Sequence, residues 1–313
     1  MKQFVGTQLI KVFCAADERA LARMLRASLG DRRVALCFHR VAERRREGEL
    51  LPKLTMPPAE IDRLIQFLLE TKGRSNRWLT VSFDDGYLDS AEYILSRAPK
   101  FPEVEWLFFV CPEKTERQVG FRWDLAETRR RAESGLDEDG IIFAPVDLSS
   151  ENLRSELVRL AREPEFRLAD VEMCRRIQQL ANAALGNHSN VHHRPALLAR
   201  EQYRAEYQAS MRDFQRLFGP PAHFAFPFGV PEQDFFAEHV DAIRGVGRCL
   251  IWSTEPRPFR AMELWRGAVL PRFAVDGTRT WREIAAQIAI HALRTRFRGD
   301  AGRYPGRLEE DVR

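Results

Sequence analysis

Six short apolar runs, each separated from the next by a longer stretch, limit what this chain can fold into. They fall at 33–38 (RVALCF), 78–83 (WLTVSF), 104–110 (VEWLFFV), 222–227 (AHFAFP), 248–253 (RCLIWS) and 267–275 (GAVLPRFAV). Each has strand length and strand composition. Helical periodicity fills the stretches near 59–71, 87–97, 199–217, 231–244 and 280–296. Strand alternating with helix predicts an α/β fold: a parallel sheet with crossover helices, open or closed into a barrel.

The rhythm breaks at 124–184, which is charged and helical, with helix-like pieces near 150–163 and 169–184. An elaboration within one domain is expected there, a lid beside the site. The barrel proper is expected over 33–296, one large core being within reach of 313 residues that are 44% hydrophobic. Residues 1–32 read as an amphipathic helical segment, with Ile10, Phe13, Leu21, Met24 and Leu25 on its apolar side. Packing on the core is its commoner fate, a membrane surface the other. The polar stretch 297–313, with Gly and Pro, reads as a mobile tail.

Charge excludes one class of partner. The 49 basic and 45 acidic residues are interleaved and leave only +4, so there is no nucleic-acid footprint. The run Glu43 to Glu47 is basic but closed by acid at both ends, as in a solvated loop. The five cysteines are scattered, odd in number and without a CxxC pair, which suits reduced thiols in a cytosolic protein. No apolar run reaches the length of a membrane span. Gln8 and Lys11 interrupt any secretory apolar region. A cytoplasmic protein is expected, with peripheral contact at the inner membrane face compatible with the slight basic excess. Its oligomeric state is not legible.

Three motifs carry chemistry. Ser82-Phe83-Asp84-Asp85-Gly86 closes an apolar run. Successive strand residues point to opposite faces, so adjacent carboxylates share a site only where the strand ends and turns. Gly86 permits that turn, and strand C-terminal ends are where parallel α/β folds place their sites. The second motif is Gly186-Asn187-His188-Ser189-Asn190-Val191-His192-His193. A helical turn would put His188 and His192 on one side. Two histidines and one Asp make a three-ligand set that leaves a position for water, as a catalytic metal requires. His193 is the fallback for His192. The third motif is Phe224-Ala225-Phe226-Pro227-Phe228-Gly229, whose bland reading is a buried strand ending in a turn. Phe226, Phe228 and Gly229, with Trp123 and Trp252, are the candidate sugar contacts.

In this order the motifs resemble those of the polysaccharide deacetylase family, the NodB homology domain or carbohydrate esterase family 4. The stretch 83–86 is similar to that family's first motif, 188–192 to its His-Ser/Thr-x-x-His, and 225–229 to its Arg-x-Pro-Tyr-Gly. Cys37-Phe38-His39-Arg40-Val41 also resembles the Tyr-His-x-Val opening of one branch. The likeness spans roughly 33–290. It implies a distorted (β/α) barrel of the NodB type with a helical insertion. It implies a divalent metal on Asp85, His188 and His192, usually Zn²⁺, with Co²⁺, Ni²⁺ or Mn²⁺ as alternatives. It implies Asp84 as general base and an N-acetylated sugar as substrate, and the expected cytoplasmic setting makes that sugar a nucleotide- or lipid-linked intermediate rather than finished polymer.

Two departures stand out. Ala225 occupies the position where the family often has Arg, and Arg272 in Leu270-Pro271-Arg272-Phe273 is the candidate substitute, with a surface ion pair as its rival reading. The family's C-terminal Leu-x-His is missing. His291 lies in a helical pattern and reads as a packing residue, so His39 is the candidate proton donor. Two rival functions are hydrolysis of another amide, such as a formamide or ureide, and a catalytically silent carbohydrate-binding homologue.

Overall fold

The structure is a computed structural model that describes residues 17–45, 49–73, 77–132 and 151–298. Seven strands build the main sheet: β1 (Val34–Phe38), β4 (Leu79–Phe83), β5 (Glu105–Val110), β6 (Ala183–Asn187), β7 (His223–Ala225), β8 (Leu250–Trp252) and β9 (Phe273–Ala274). A separate parallel pair joins β2 (Arg40–Val41) to β3 (Thr55–Met56). The main sheet runs β8-β7-β6-β5-β4-β1-β9 and every pair is parallel. From β1 to β8 each new strand adds on the same side, so the sheet curls. Its two edges meet on one bent segment: Leu270 bridges to Trp252 of β8, and Phe273 pairs with Leu36 of β1. The result is a distorted (β/α) barrel.

Alternation sorts the strand residues between its two surfaces. Val34, Leu36, Phe38, Leu79, Val81, Phe83, Trp106, Phe108 and Val110 join the large core under the helices. Ala35, Leu107, Phe109, Ala225, Trp252 and Leu270 form a second cluster that fills the barrel. Strands buried on both faces read as continuous apolar runs, which is why β1, β4 and β5 stand out in the sequence.

β6 does not stand out. Its residues AALGN are small and carry no β-branched side chain, so the expected insertion at 124–184 overran its first two positions. The small residues answer to large neighbours. A Cβ on Gly186 would stand 2.3 Å from the Phe109 ring. The helix Val171–Gln178 also belongs to the barrel: its Cys174 and Ile177 join the main core, making it a regular crossover into β6. Among the described residues the elaboration comprises the helices Arg122–Ala132 and Glu151–Leu160, with a small apolar cluster of Val119, Leu125, Leu157, Leu160 and Phe166. The helix expected at 231–244 starts later, at Ala237–Val246.

The N-terminal helix Glu18–Leu29 starts behind Asp17, which accepts from Ala20 N at 2.7 Å. Leu21, Leu25 and Leu29 are fully buried, and the helix packs on Trp281–Arg298 and Pro58–Lys72. Met24 is half-buried. Ile10 and Phe13 lie outside the described residues, as do 133–150 of the insertion and 299–313 of the tail. His291 packs edge-on against Phe273, centroids 5.9 Å apart.

Candidate active site

All three motifs leave the C-terminal ends of strands. Pairing of β1 with β4 sets Cys37 beside Ser82. Continuing the alternation sends Cys37 and His39, Ser82 and Asp84, and Gly186 and His188 into the same interior. Asp85 would point outward if β4 continued. Instead it adopts φ 73° and Gly86 φ 80°, and this left-handed pair swings the second carboxylate back over the barrel mouth.

The histidine motif is not helical, contrary to the turn expected from its spacing. It is a loop after β6 in which Ser189 (φ 62°) and His192 (φ 57°) are both left-handed. The loop folds back so that His192 Nε2 lies 3.1 Å and His188 Nε2 3.5 Å from Asp85 Oδ1. Non-glycine residues in that region cost roughly 1–3 kcal/mol each, so neighbours must hold them. Asn187 Oδ1 accepts from Ser189 N at 2.9 Å, and His192 N donates to Ser189 Oγ at 3.2 Å. Glu206, on the helix Arg200–Phe218, accepts from Asn190 N at 2.6 Å and Val191 N at 3.2 Å. Burial pushes the Glu206 carboxyl up, and those two N–H groups pull against it.

Asp85, His188 and His192 are buried, and their ligand-type atoms lie within 4.8 Å of one another. His188 Nδ1 lies 2.8 Å from Ala225 O and must donate to it. In its neutral form the ring then aims its Nε2 lone pair at Asp85 Oδ1, a buried oxygen without a hydrogen-bond partner. Lone pairs converging on one point fit a cation, and a backbone-tied Nδ1–H is the usual support for a ligating imidazole. Without a cation, protons answer the same need. Burial opposes the charged form of His188, yet Asp84 and then Asp85 raise it. Burial likewise opposes ionised Asp85, yet His192 and then His188 hold it well below the usual carboxylate range. Burial keeps His192 down. His193 stands outside the group.

Asp84 is the other carboxylate. Burial favours its neutral acid, but Arg272 and then His188 hold it below the usual range. Arg272 is fully buried and reaches in from beside β9. Its Nη1 donates to Asp84 Oδ1 at 2.6 Å and to Ser82 Oγ at 3.0 Å, and its Nη2 to Asp84 Oδ2 at 2.9 Å. The guanidinium also lies 4.9 Å from the Phe109 ring centroid. This is no surface ion pair. The Cys37 thiol adds a third donor to Asp84, 3.3 Å from Oδ2. Burial first, and then the neighbouring carboxylates against Arg272, leave it a thiol. His39 Nδ1 is buried and has no hydrogen-bond partner.

A cavity of about 450 Å³ opens over these groups, with His39, Asp84, Asp85, His188 and His192 in its floor. Of the aromatic candidates, Trp123 and Phe228 line it. Trp123 stands 4.9 Å and Phe228 5.1 Å from the His192 ring. Trp123 Nε1 donates to Tyr87 Oη at 2.8 Å, and that hydroxyl lies 2.9 Å from Asp124 Oδ2. Phe226 and Trp252 do not line the cavity. Phe226 stacks on Phe235 at 4.1 Å, and Trp252 fills the barrel with its Nε1 3.2 Å from His223 Nδ1. Both are consumed by packing, Trp252 inside the barrel and Phe226 on the outer side of the sheet among Tyr207, Phe224 and Phe235. Gly229 (φ 77°) lets the chain turn after Phe228 (φ 61°), and its carbonyl accepts from Thr254 N at 2.7 Å.

Sequence reading missed Cys37 as a partner of Asp84, Glu206, and the cavity wall Leu50–Leu54. The run Leu50-Leu51-Pro52-Lys53-Leu54 is visibly apolar for a loop and was the available cue. Glu206 offered none, because its contacts lie fifteen and sixteen residues away.

No protein-family model matches the chain, and comparison with curated proteins finds no match. Solved structures do match. IcaB from Ammonifex degensii is 17% identical, with 84% of this chain and 98% of that one covered and a TM-score of 0.53. The deacetylase PplD of Streptococcus pyogenes, in complex with acetate, is 11% identical over 82% of this chain and 98% of its own, with a TM-score of 0.54. A polysaccharide deacetylase from Bacillus cereus is 13% identical over 82% and 68%, with a TM-score of 0.52. The chain has the NodB-type fold of the polysaccharide deacetylases.

Proposed function

We propose that this chain is a metal-dependent hydrolase that removes an N-acyl group, acetyl above all, from an amino sugar. The observation that carries the reading is the convergence of Asp85 Oδ1 with two histidine Nε2 atoms, one fixed in tautomer by Ala225 O. It lies at a strand-end cavity beside a separately held carboxylate. Asp85, His188 and His192 would hold the ion, Zn²⁺ before Co²⁺, Ni²⁺ or Mn²⁺, since imidazole and carboxylate suit all of these. A divalent ion there supplies Lewis acidity and acidifies water.

The protein groups do the rest. Asp84, kept ionised by Arg272, takes the proton from water as it adds to the acyl carbon. His39 at the cavity floor gives a proton to the nitrogen as the C–N bond breaks, so the products are a carboxylic acid and a free amine. Trp123 and Phe228 offer faces to the sugar. The proposal includes a cytoplasmic setting and a nucleotide- or lipid-linked sugar.

The test is release of acetate or formate from a panel of N-acyl sugars by purified protein, with its metal content measured. Asp85→Ala and His188→Ala should lose metal and turnover together. Asp84→Asn should keep the metal and lose turnover. Full metal content in the first two variants would remove the ligand assignment.

A further inference from the structure

The cavity is two-sided. Its floor is the polar group just described, and the wall above it is built from Leu50, Leu51, Leu54, Trp123 and Phe228. The polar side chains in that wall are Thr254, whose Oγ1 already donates to Phe228 O at 3.0 Å, and Lys53, which is exposed at the rim. A polyhydroxylated chain laid along this wall would leave hydroxyls without partners.

The wall is fixed in place. Leu50 N donates to the buried Glu127 Oε2 at 3.1 Å, which ties the loop to the helix Arg122–Ala132. Pro52–Leu54 form a tight turn closed by Leu54 N on Leu51 O at 2.9 Å. Gly277 N donates to Lys53 O at 2.7 Å, and a Cβ on Gly277 would come 2.2 Å from Thr55 O. Apolar side chains held half-buried over a reaction centre by a buried carboxylate and a close glycine contact form a binding surface for apolar matter.

Resting on the amide-hydrolase reading, we propose that the substrate carries an apolar chain of several carbons next to its reacting amide. The chain would lie along Leu51 and Leu54. It has two chemical sources, the acyl group itself or an alkyl group carried by the sugar.

Two substrate ladders separate the sources. One varies the acyl group on glucosamine from acetyl through butyryl and hexanoyl to octanoyl. The other keeps N-acetyl and varies the glycoside from methyl to octyl. In one ladder kcat/KM should rise by about fourfold for each methylene buried. Within Leu51→Asn and Leu54→Asn the octyl-to-short ratio in that ladder should fall at least fivefold, whatever the variants do to overall rate. Flat or falling ladders in both series, with the acetyl substrate turned over, would overturn the proposal. Calorimetric binding of the alkyl glycosides and the N-acyl ladder keeps the two readings apart. Affinity that climbs with chain length without turnover would uphold the wall and sink the hydrolase. Affinity indifferent to length would sink the wall alone.

Discussion

Arg272 and Asp84, 188 residues apart in the chain, form a two-point ion pair inside the barrel, with both contacts at or under 2.9 Å and both side chains almost wholly excluded from solvent. The pair restores a cation beside the inner carboxylate of a chain that has Ala225 where related motifs often carry Arg. Removing one partner of a buried pair costs about 3–5 kcal/mol, because the other charge is stranded. Arg272→Ala should therefore lower stability by that order and abolish most turnover. Arg272→Lys, which keeps charge without the fork, should fall between. The pH dependence has a definite sign. Asp84 is held low, so the pairing stabilises the protein at neutral pH and is lost as pH falls through that lowered value. In Arg272→Ala that contribution is already absent, so the stability gap between the two proteins should be widest at neutral pH and narrow as pH falls. Urea midpoints across the acid range would show it, and an unchanged midpoint at neutral pH would contradict the account.

His39 lines the cavity floor with a buried, unpartnered Nδ1. His39→Ala should lower kcat by about 10²–10⁴ with a smaller change in KM, as expected for a group needed in the transition state. Substrates with good leaving groups should suffer least. An unaltered kcat on the sugar amide would assign the proton donor elsewhere.

Glu206 holds the strained loop between the two histidines by its Asn190 and Val191 N–H groups. Glu206→Ala should weaken metal affinity by about 10–100-fold, the usual cost of losing an outer-shell partner. Glu206→Gln keeps an acceptor oxygen and should recover most of it. Metal titration of the purified variants tests this without an assay of turnover. Equal affinity in all three proteins would make Glu206 a bystander.

Gly186→Ala places a methyl group within 2.3 Å of the Phe109 ring. Overpacking of this kind costs about 1–3 kcal/mol. Phe109 also stands against Arg272, so activity should fall with stability. A denaturation midpoint equal to the parent's would show that the barrel interior yields more readily than its contacts imply.

Legibility in the sequence followed the range of the interactions. Asp84-Asp85-Gly86 and the ends of β1, β4 and β5 were readable because alternation and turn chemistry are local. β6 was not, since AALGN is small for the sake of Trp106 and Phe109 on the neighbouring strand. The two histidines expected on one side of a helical turn do meet at Asp85, but in a loop and not in a helix. Their loop is bent by Ser189 and His192 and held from another helix. Arg272 was found only because a position elsewhere lacked its arginine. Phe226, which packs under the helices, and Trp252, which fills the barrel, looked like sugar platforms because composition does not tell a buried aromatic from one at the barrel mouth.

The segment that joins the two edges of the curled sheet also bears on the order in which the molecule is made. Ribosomes release the amino-terminal strands first, so Asp84 emerges long before residue 272 supplies its counter-charge. Until then a closed barrel would bury an uncompensated carboxylate. Early closure of the nascent chain is thus disfavoured, and Asp84 gains its counter-charge only with the segment that leads into the last strand. Contacts this distant in sequence fold slowly. The two-point pairing of Asp84 is complete only once residue 272 has been translated.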